Sequence, residues 1–369
     1  MHNSSGHRSI APCLCGSSGR PLAIGRRTVL SGFAAVGVSA AAAIVGRSSP
    51  ALANAATADK SWLIDVHHHF APPSYVAENR SRVSPAALDW TPQKALDAMD
   101  AQGVATAVLS SALPGVWFGD PDAARRTSRA CNDYAADLAL KHPGRFGLFP
   151  VIPLPDAEGS LREIEYSFDV LKADGIGIVT SYSDDSGSKW LGNPAFAPVF
   201  EELNRRKAVV FVHPTVASCC QKLLPDVSPL VSEIPEDTTR SVTNLMFTGT
   251  FARFPDIRFI FSHGGGDVPM VMGRMHDYAP KNIAELAPNG IDYELARLFY
   301  DIAGTAYRPA IAALTKLVPP TQILFGSDNP FVPLQKTAQG MKELDLSAAD
   351  LHAIGRDNAL TLLPNLPRN

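Results

Sequence analysis

Carboxylates are missing from the start of the chain: residues 1–58 contain no Asp or Glu, and the first acid is Asp59. Cysteine is scarce, five in 369 residues, which excludes a small scaffold held by disulfides. Lys and Arg nowhere gather more densely than Arg205-Arg206-Lys207, so the basic stripe of a nucleic-acid-binding surface is lacking. The 27 Gly and 30 Pro are scattered without period, which excludes collagen-like and low-complexity chains. No G-x-S-x-G occurs, and with it goes the nucleophile elbow of a serine hydrolase. What is present is ample apolar content, 46%, with 19% charged residues and a net charge of −3. That balance builds a core and argues against disorder; the length suits one large domain or two of ordinary size.

The acid-free segment carries Arg8, Arg20, Arg26, Arg27 and Arg47, with a small-residue apolar run over 28–46 and an Ala51-Leu52-Ala53 site. A basic region, an apolar region and an A-x-A site make a cleavable leader. The paired Arg26-Arg27 points to twin-arginine export, so residues 1–58 are expected to leave and the mature protein to be periplasmic or extracellular. An uncleaved anchor is the alternative; after cleavage no stable membrane association is expected. The mature part holds 28 basic and 36 acidic residues, a net charge of −8. Cys13 and Cys15 depart with the leader, leaving Cys131 and the adjacent Cys219 and Cys220, which are not expected to pair.

From residue 61 onward short Val-, Ile- and Phe-rich runs alternate with amphipathic stretches. The runs fall at 62–67, 105–110, 146–152, 175–180, 209–213, 257–262, 298–302 and 322–326. Continuous apolar runs fit parallel strands buried on both faces. The stretches between fall at 91–102, 122–141, 161–173, 194–206, 240–254, 267–278, 308–317 and 348–363. Thr91-Pro92 supplies a helix cap and the residue type favoured at the first helical position. Eight alternations over residues 59–369 predict an α/β fold, a (β/α)8 TIM barrel; a doubly wound open sheet is the alternative, but its Gly-rich nucleotide loop is missing after the first run, which ends in histidines instead. Excursions are expected at 71–92 and 223–235.

Chemistry gathers at the C-terminal ends of the runs. Asp65-Val66-His67-His68-His69 ends the first, and strand alternation puts His67 and His69 on one face and His68 on the other. His213 ends the fifth run, His263 the sixth before Gly264-Gly265-Gly266, and Asp328 follows the eighth. In a barrel these ends converge on the face where active sites sit. Imidazoles and a carboxylate suit Zn²⁺, Mn²⁺ or Fe²⁺. The fourth run ends Ile178-Val179-Thr180-Ser181-Tyr182 without the Lys that bridges two metals in dinuclear barrels, so one metal is expected. Asp301, ending the seventh run, reads equally as a site partner or a structural residue. His142, His276 and His352 read as structural.

The pieces Ile64-Asp65-Val66-His67-His68-His69-Phe70, Phe211-Val212-His213-Pro214-Thr215, Ser262-His263-Gly264-Gly265-Gly266 and Gly326-Ser327-Asp328-Asn329-Pro330-Phe331 carry a resemblance. In this order they are similar to the amidohydrolase superfamily, in the branch of aminocarboxymuconate-semialdehyde decarboxylase. Glu163-Ile164-Glu165-Tyr166, Ala173-Asp174-Gly175 and 206–211 most resemble the 6-methylsalicylate decarboxylases. The resemblance implies one metal held by His67, His69, His213 and Asp328, and of the ions these donors suit Zn²⁺ is expected, with Mn²⁺ as the alternative. It makes His263 the acid/base beside them, with Asp328 also catalytic. It places Arg274 on a substrate carboxylate, reaching into a neighbouring subunit, and Phe331 against the substrate, and so implies a homodimer or higher homo-oligomer. Arg80 and Arg82 do not align clearly with the branch's second substrate arginine, and an export leader departs from that mostly cytosolic branch.

The implied reaction is non-oxidative decarboxylation of a small hydroxy-aromatic acid, releasing CO₂. Hydrolysis of an amide or lactone is the alternative that the same donors allow, and a non-catalytic binder is a third class, which has no use for paired acid/base groups.

Overall fold

The run that opens the described chain, Leu63–Phe70, is strand β1, buried along its whole length. The structure is a computed structural model that describes residues 62–368 apart from 112–113, 185–186 and 222; the leader expected at 1–58 lies outside the described residues. Strands β2 (Val104–Ser111), β3 (Phe146–Phe149) and β4 (Ile176–Val179) follow, then a hairpin of β5 (Ser181–Asp184) and β6 (Gly187–Trp190). The chain continues through β7 (Val209–His213), β8 (Arg258–Phe261), β9 (Phe299–Asp301) and β10 (Ile323–Leu324).

The strands pair in parallel in the orders β1-β2-β3 and β10-β9-β8-β7-β4. A bridge from Val151 to Gly177 joins β3 to β4. On the other side the Val66 amide donates to the Phe325 carbonyl at 3.0 Å and the His69 amide to the Asn329 carbonyl at 2.7 Å. Both seams are thus sewn, which closes the sheet into the expected (β/α)8 barrel. All eight expected runs are barrel strands. The β5–β6 hairpin stands outside the ring; its Ser- and Asp-rich sequence carries no apolar run to announce it.

The barrel interior is filled by Ile64, Val66, Val108, Phe149, Phe211 and Ile260 and is plugged by Leu362, Leu363 and Leu366 of the C-terminal segment. Between strands and helices lies the larger apolar layer. The Thr91 hydroxyl accepts from the Lys94 amide at 3.2 Å, and Gly103 ends that helix at φ 72°, as Thr-Pro and Gly at those places predict.

Several boundaries differ from expectation. The helix placed at 240–254 spans Glu233–Phe247 and restarts as Thr250–Arg253, because Gly249 turns into the left-handed region at φ 70°. Part of the excursion at 223–235 is therefore helix. The stretch 348–363 is interrupted by a π turn over Ala353–Asp357, where Gly355 lies so close to the Trp62 ring that a Cβ would come within 2.5 Å. The excursion at 71–92 contains two short helices, Pro73–Asn79 and Pro85–Leu88. Among the described residues no helix is long and apolar enough to cross a membrane.

Candidate active site

In β1 Asp65 opposes Ala107 and His68 opposes Leu109, so β1 carries one extra residue relative to β2 between these points. Such a bulge re-aims the side chains beyond it. Ile64 and Val66 can then share the barrel interior with the imidazoles of His67 and His69. The His67 ring sits edge-on to Phe211 with centroids 5.0 Å apart, so the interior apolar column forms the floor of the site.

Four strand ends converge there. His67 Nε2 lies 3.1 Å from His69 Nε2 and 3.3 Å from Asp328 Oδ1. His69 Nε2 lies 3.2 Å and His213 Nε2 3.8 Å from the same oxygen. Two donors each about 2.1 Å from one small cation at tetrahedral or octahedral angles lie roughly 3.0–3.4 Å apart, so most of these spacings are those of a shared ligand sphere.

The far side of each ring fixes which nitrogen faces inward. His67 Nδ1 donates to Asp301 Oδ2 at 2.9 Å, His69 Nδ1 to the Ser111 carbonyl at 3.2 Å, and His213 Nδ1 to the Pro214 carbonyl at 2.7 Å. With Nδ1 protonated and bonded outward, all three rings present an Nε2 lone pair to the centre, the usual outer support of a metal-binding histidine. His213 Nε2 and Asp328 Oδ1 are buried and have no hydrogen-bond partner among the described residues. Buried orphan acceptors of this kind call for a cation, and the donor set fits one divalent ion.

The electrostatics agree. Burial depresses the His67 ring, but the Asp301 and Asp328 carboxylates outweigh it and raise it to about 10. Burial, reinforced by the neighbouring His69, pushes His213 down to about 3. Burial would raise Asp328, yet the close approach of His213, His263, His67 and His69 holds it well below the usual carboxylate range. A cation bound here takes the place of the proton on His67, so its affinity falls as pH falls.

His263 stands on the other carboxylate oxygen: its Nε2 is 3.4 Å from Asp328 Oδ2. The reactive atoms of His67, His213, His263 and Asp328 all lie within 4.8 Å of one another, a grouping with His263 in place of His69. The shorter distances favour His69 as the ligand, since it faces the oxygen shared with His67 and His213. Both His263 and Asp328 have left-handed backbones, φ 55° and 65°. Such conformations cost about 1–3 kcal/mol for non-Gly residues and persist where the surroundings impose them.

Asp301 is the residue the sequence underweighted. It is fully buried, and beyond binding His67 its Oδ1 accepts the His263 amide at 3.1 Å, so one carboxylate orients both histidines. Asp65, which the sequence gave no role, accepts from the Ser327 amide at 2.9 Å and the Ser327 hydroxyl at 2.6 Å. It thereby ties β1 to the loop that carries Asp328. His68 points away as alternation requires and is held by Asp65 and Asn329.

Phe331 is brought to the cluster, its ring 5.1 Å from that of His69. Arg274 is not: it is exposed on the helix Val268–Asp277, with its guanidinium 5.1 Å from the Tyr278 ring centroid. His276 and His352 are exposed and bonded to Asp292 and Asp357, in keeping with structural roles.

Comparison with known proteins places these observations. The family model described as amidohydrolase matches residues 64–364. The decarboxylase macB of Penicillium terrestre is 35% identical over 323 residues, covering 82% of this chain and 94% of its own. The 6-methylsalicylic acid decarboxylase acuB of Aspergillus aculeatus is 32% identical over 326 residues, covering 83% and 97%. A crystal structure of an amidohydrolase II superposes with a TM-score of 0.75 at 27% identity, covering 82% of this chain and 100% of that one.

Proposed function

We infer that this chain, which belongs to the amidohydrolase family, is a carboxy-lyase that removes CO₂ from a small hydroxy-aromatic acid. The relatives named above are decarboxylases. The observation that carries the reading within this chain is the approach of His263 Nε2 to Asp328 Oδ2 while Asp328 Oδ1 faces the three imidazoles. A single carboxylate thus links a cation site to a fourth imidazole.

We propose His67, His69, His213 and Asp328 as the ligands of one divalent ion, Zn²⁺ with Mn²⁺ as the alternative. When bound, that ion would supply Lewis-acid anchoring of the substrate's carboxylate or ortho-phenolate. Phe331 would flank the aromatic ring. His263 would hold a proton on Nε2 and deliver it, through Asp328 Oδ2, to the ring carbon that bears the carboxylate. The bond from that carbon to the carboxylate then breaks, its electron pair restores the aromatic ring, and CO₂ leaves. Hydrolysis of an amide or lactone could use the same donors and ranks second because the relatives are decarboxylases. Incubating metal-loaded protein with 6-methylsalicylate and with simple lactones separates the two. The decarboxylase reading expects CO₂ and the decarboxylated phenol, and a ring-opened hydroxy acid formed from the lactone without any CO₂ from the salicylate would refute it.

Arg274 is proposed to serve a neighbouring subunit's substrate carboxylate, since its planar fork suits that group and it stands exposed on its helix rather than among the cluster residues; a homodimer or higher homo-oligomer is proposed with it. Arg274→Ala and His263→Ala proteins should each be inactive or weak alone. Mixed, they should recover activity, because one site of a hybrid dimer has both residues intact. No recovery in hybrids of verified composition would remove Arg274 from the site.

We also propose export through the twin-arginine route with cleavage near residues 53–56. Replacing Arg26 and Arg27 by Lys should leave the full-length protein in the cytoplasm. N-terminal sequencing of exported protein that found residues upstream of Thr28 would contradict the cleavage.

A further inference from the structure

Beside the ligand cluster a cavity of about 430 Å³ opens between the loops that follow β7, β8, β9 and β10. His263, Gly264 and Asp328 form part of its wall, so it is continuous with the proposed reaction centre. The remainder is almost wholly apolar, with Ile234, Pro235, Met270, Ala310, Ala313 and Leu314 among the lining residues. A second recess of about 240 Å³, around Trp117, Phe118 and Tyr182, is lined by none of the cluster residues.

Charge decides which end of a substrate enters the larger cavity. Among its described lining residues none is Lys or Arg, and beyond the cluster residue Asp328 the lining carries the acidic Asp267. A carboxylate placed there would be desolvated and repelled, so the substrate's acid must face the ligand cluster and its apolar part the recess. Size decides what that part is. The volume lies within the roughly 300–1,000 Å³ of pockets that take ligands of drug size, and a methyl group would leave most of it to water. Small side chains keep it open: Ala303, Gly304, Ala310 and Ala313 stand where larger residues would fill it. At the rim Met270 is 75% exposed and Leu230 60% exposed, an apolar entry for a chain.

Resting on the decarboxylase reading, we propose that the substrate is a hydroxy-aromatic acid whose ring carries an alkyl chain of several carbons, and that this recess is the chain's binding site. The ring lies against Phe331 and the cluster, while the chain runs past His263 toward Ala313.

The test measures CO₂ release by the metal-loaded full chain from salicylates bearing a 6-methyl, 6-propyl or 6-pentyl group. Each added methylene should raise kcat/KM about fourfold, the value of burying one CH₂, or about two hundredfold from methyl to pentyl. Ala313→Phe, on a half-buried helix position, should collapse the pentyl-to-methyl ratio toward one, and Ala310→Phe should lower it. Because the ratio compares two substrates on one protein, a general loss of folding or metal cancels. Turnover of the methyl compound with a flat ratio in the unmodified protein would overturn the alkyl site and leave the decarboxylase reading standing. A steep ratio that Ala313→Phe does not change would place the chain elsewhere and overturn the proposal too. No CO₂ from any member of the series would remove the reading on which it rests.

Discussion

Asp328→Asn is expected to lose both bound metal and about 10³-fold or more of the decarboxylase turnover. The substitution keeps side-chain shape, and Asn tolerates the left-handed backbone that Asp328 adopts at φ 65°, so the loop should fold unchanged. What it removes is charge. Asp328 Oδ1 faces Nε2 of His67, His69 and His213 at 3.3, 3.2 and 3.8 Å, and an amide there offers no anion to balance a divalent ion. It also ends the link from His263 Nε2 to the centre, and general acid/base help of that kind contributes roughly 10²–10⁴-fold by itself. Metal analysis of the purified variant beside the unmodified protein is the check, with one equivalent per chain expected in the latter. His68→Ala serves as control: its ring is bonded to Asp65 and Asn329 on the other face and should leave the metal in place. Two equivalents per unmodified chain, or full metal and turnover in Asp328→Asn, would contradict the assignment.

His263→Asn should keep the metal and lose turnover by about 10²–10⁴-fold with little change in KM. Asn again suits the left-handed backbone, φ 55° in His263, and the Asp301 carboxylate can still receive the backbone amide that it binds now. The variant discriminates between two donor sets. If His67, His69, His213 and Asp328 hold the ion, stoichiometry is preserved. If His263 is a ligand in place of His69, as the mutual distances within 4.8 Å of His67, His213, His263 and Asp328 also permit, the ion is lost along with the activity. Metal content and kcat measured on one preparation therefore separate proton transfer from ligation.

The barrel was legible because parallel strands buried on both faces must be continuously apolar, and those runs stand out against amphipathic helices. The proposed ligands were legible for a related reason: a polar side chain ending an apolar run is costly unless it has a task, and His67, His69 and His213 sit at such ends while Asp328 closely follows one. Residues that act through others were harder to see. Asp301 occupies a strand end like the ligands, yet only the fold shows it bridging His67 and His263. Asp65 precedes the histidines by two residues, and its bond to Ser327 spans 262 positions, a distance that no local pattern encodes. The β5–β6 hairpin was missed because its Ser-, Asp- and Gly-rich stretch reads as loop. The alkyl recess depends on volume left unfilled by Ala303, Gly304, Ala310 and Ala313 in the loop after β9 and the helix Arg308–Leu317, and small residues carry no motif. Arg274 shows the converse: its spacing from His263 was legible, but it lies exposed on its helix beside Tyr278.

The most direct test of the central claim is NMR of the reaction of carboxyl-¹³C 6-methylsalicylate in ²H₂O, run on one preparation before and after chelation and metal reloading. The account predicts labelled CO₂ and bicarbonate together with a phenol carrying one deuterium at the former carboxyl position, lost with the metal and restored on reloading. Label that stays in an organic product, or equal CO₂ release from the chelated and the reloaded protein, would contradict it.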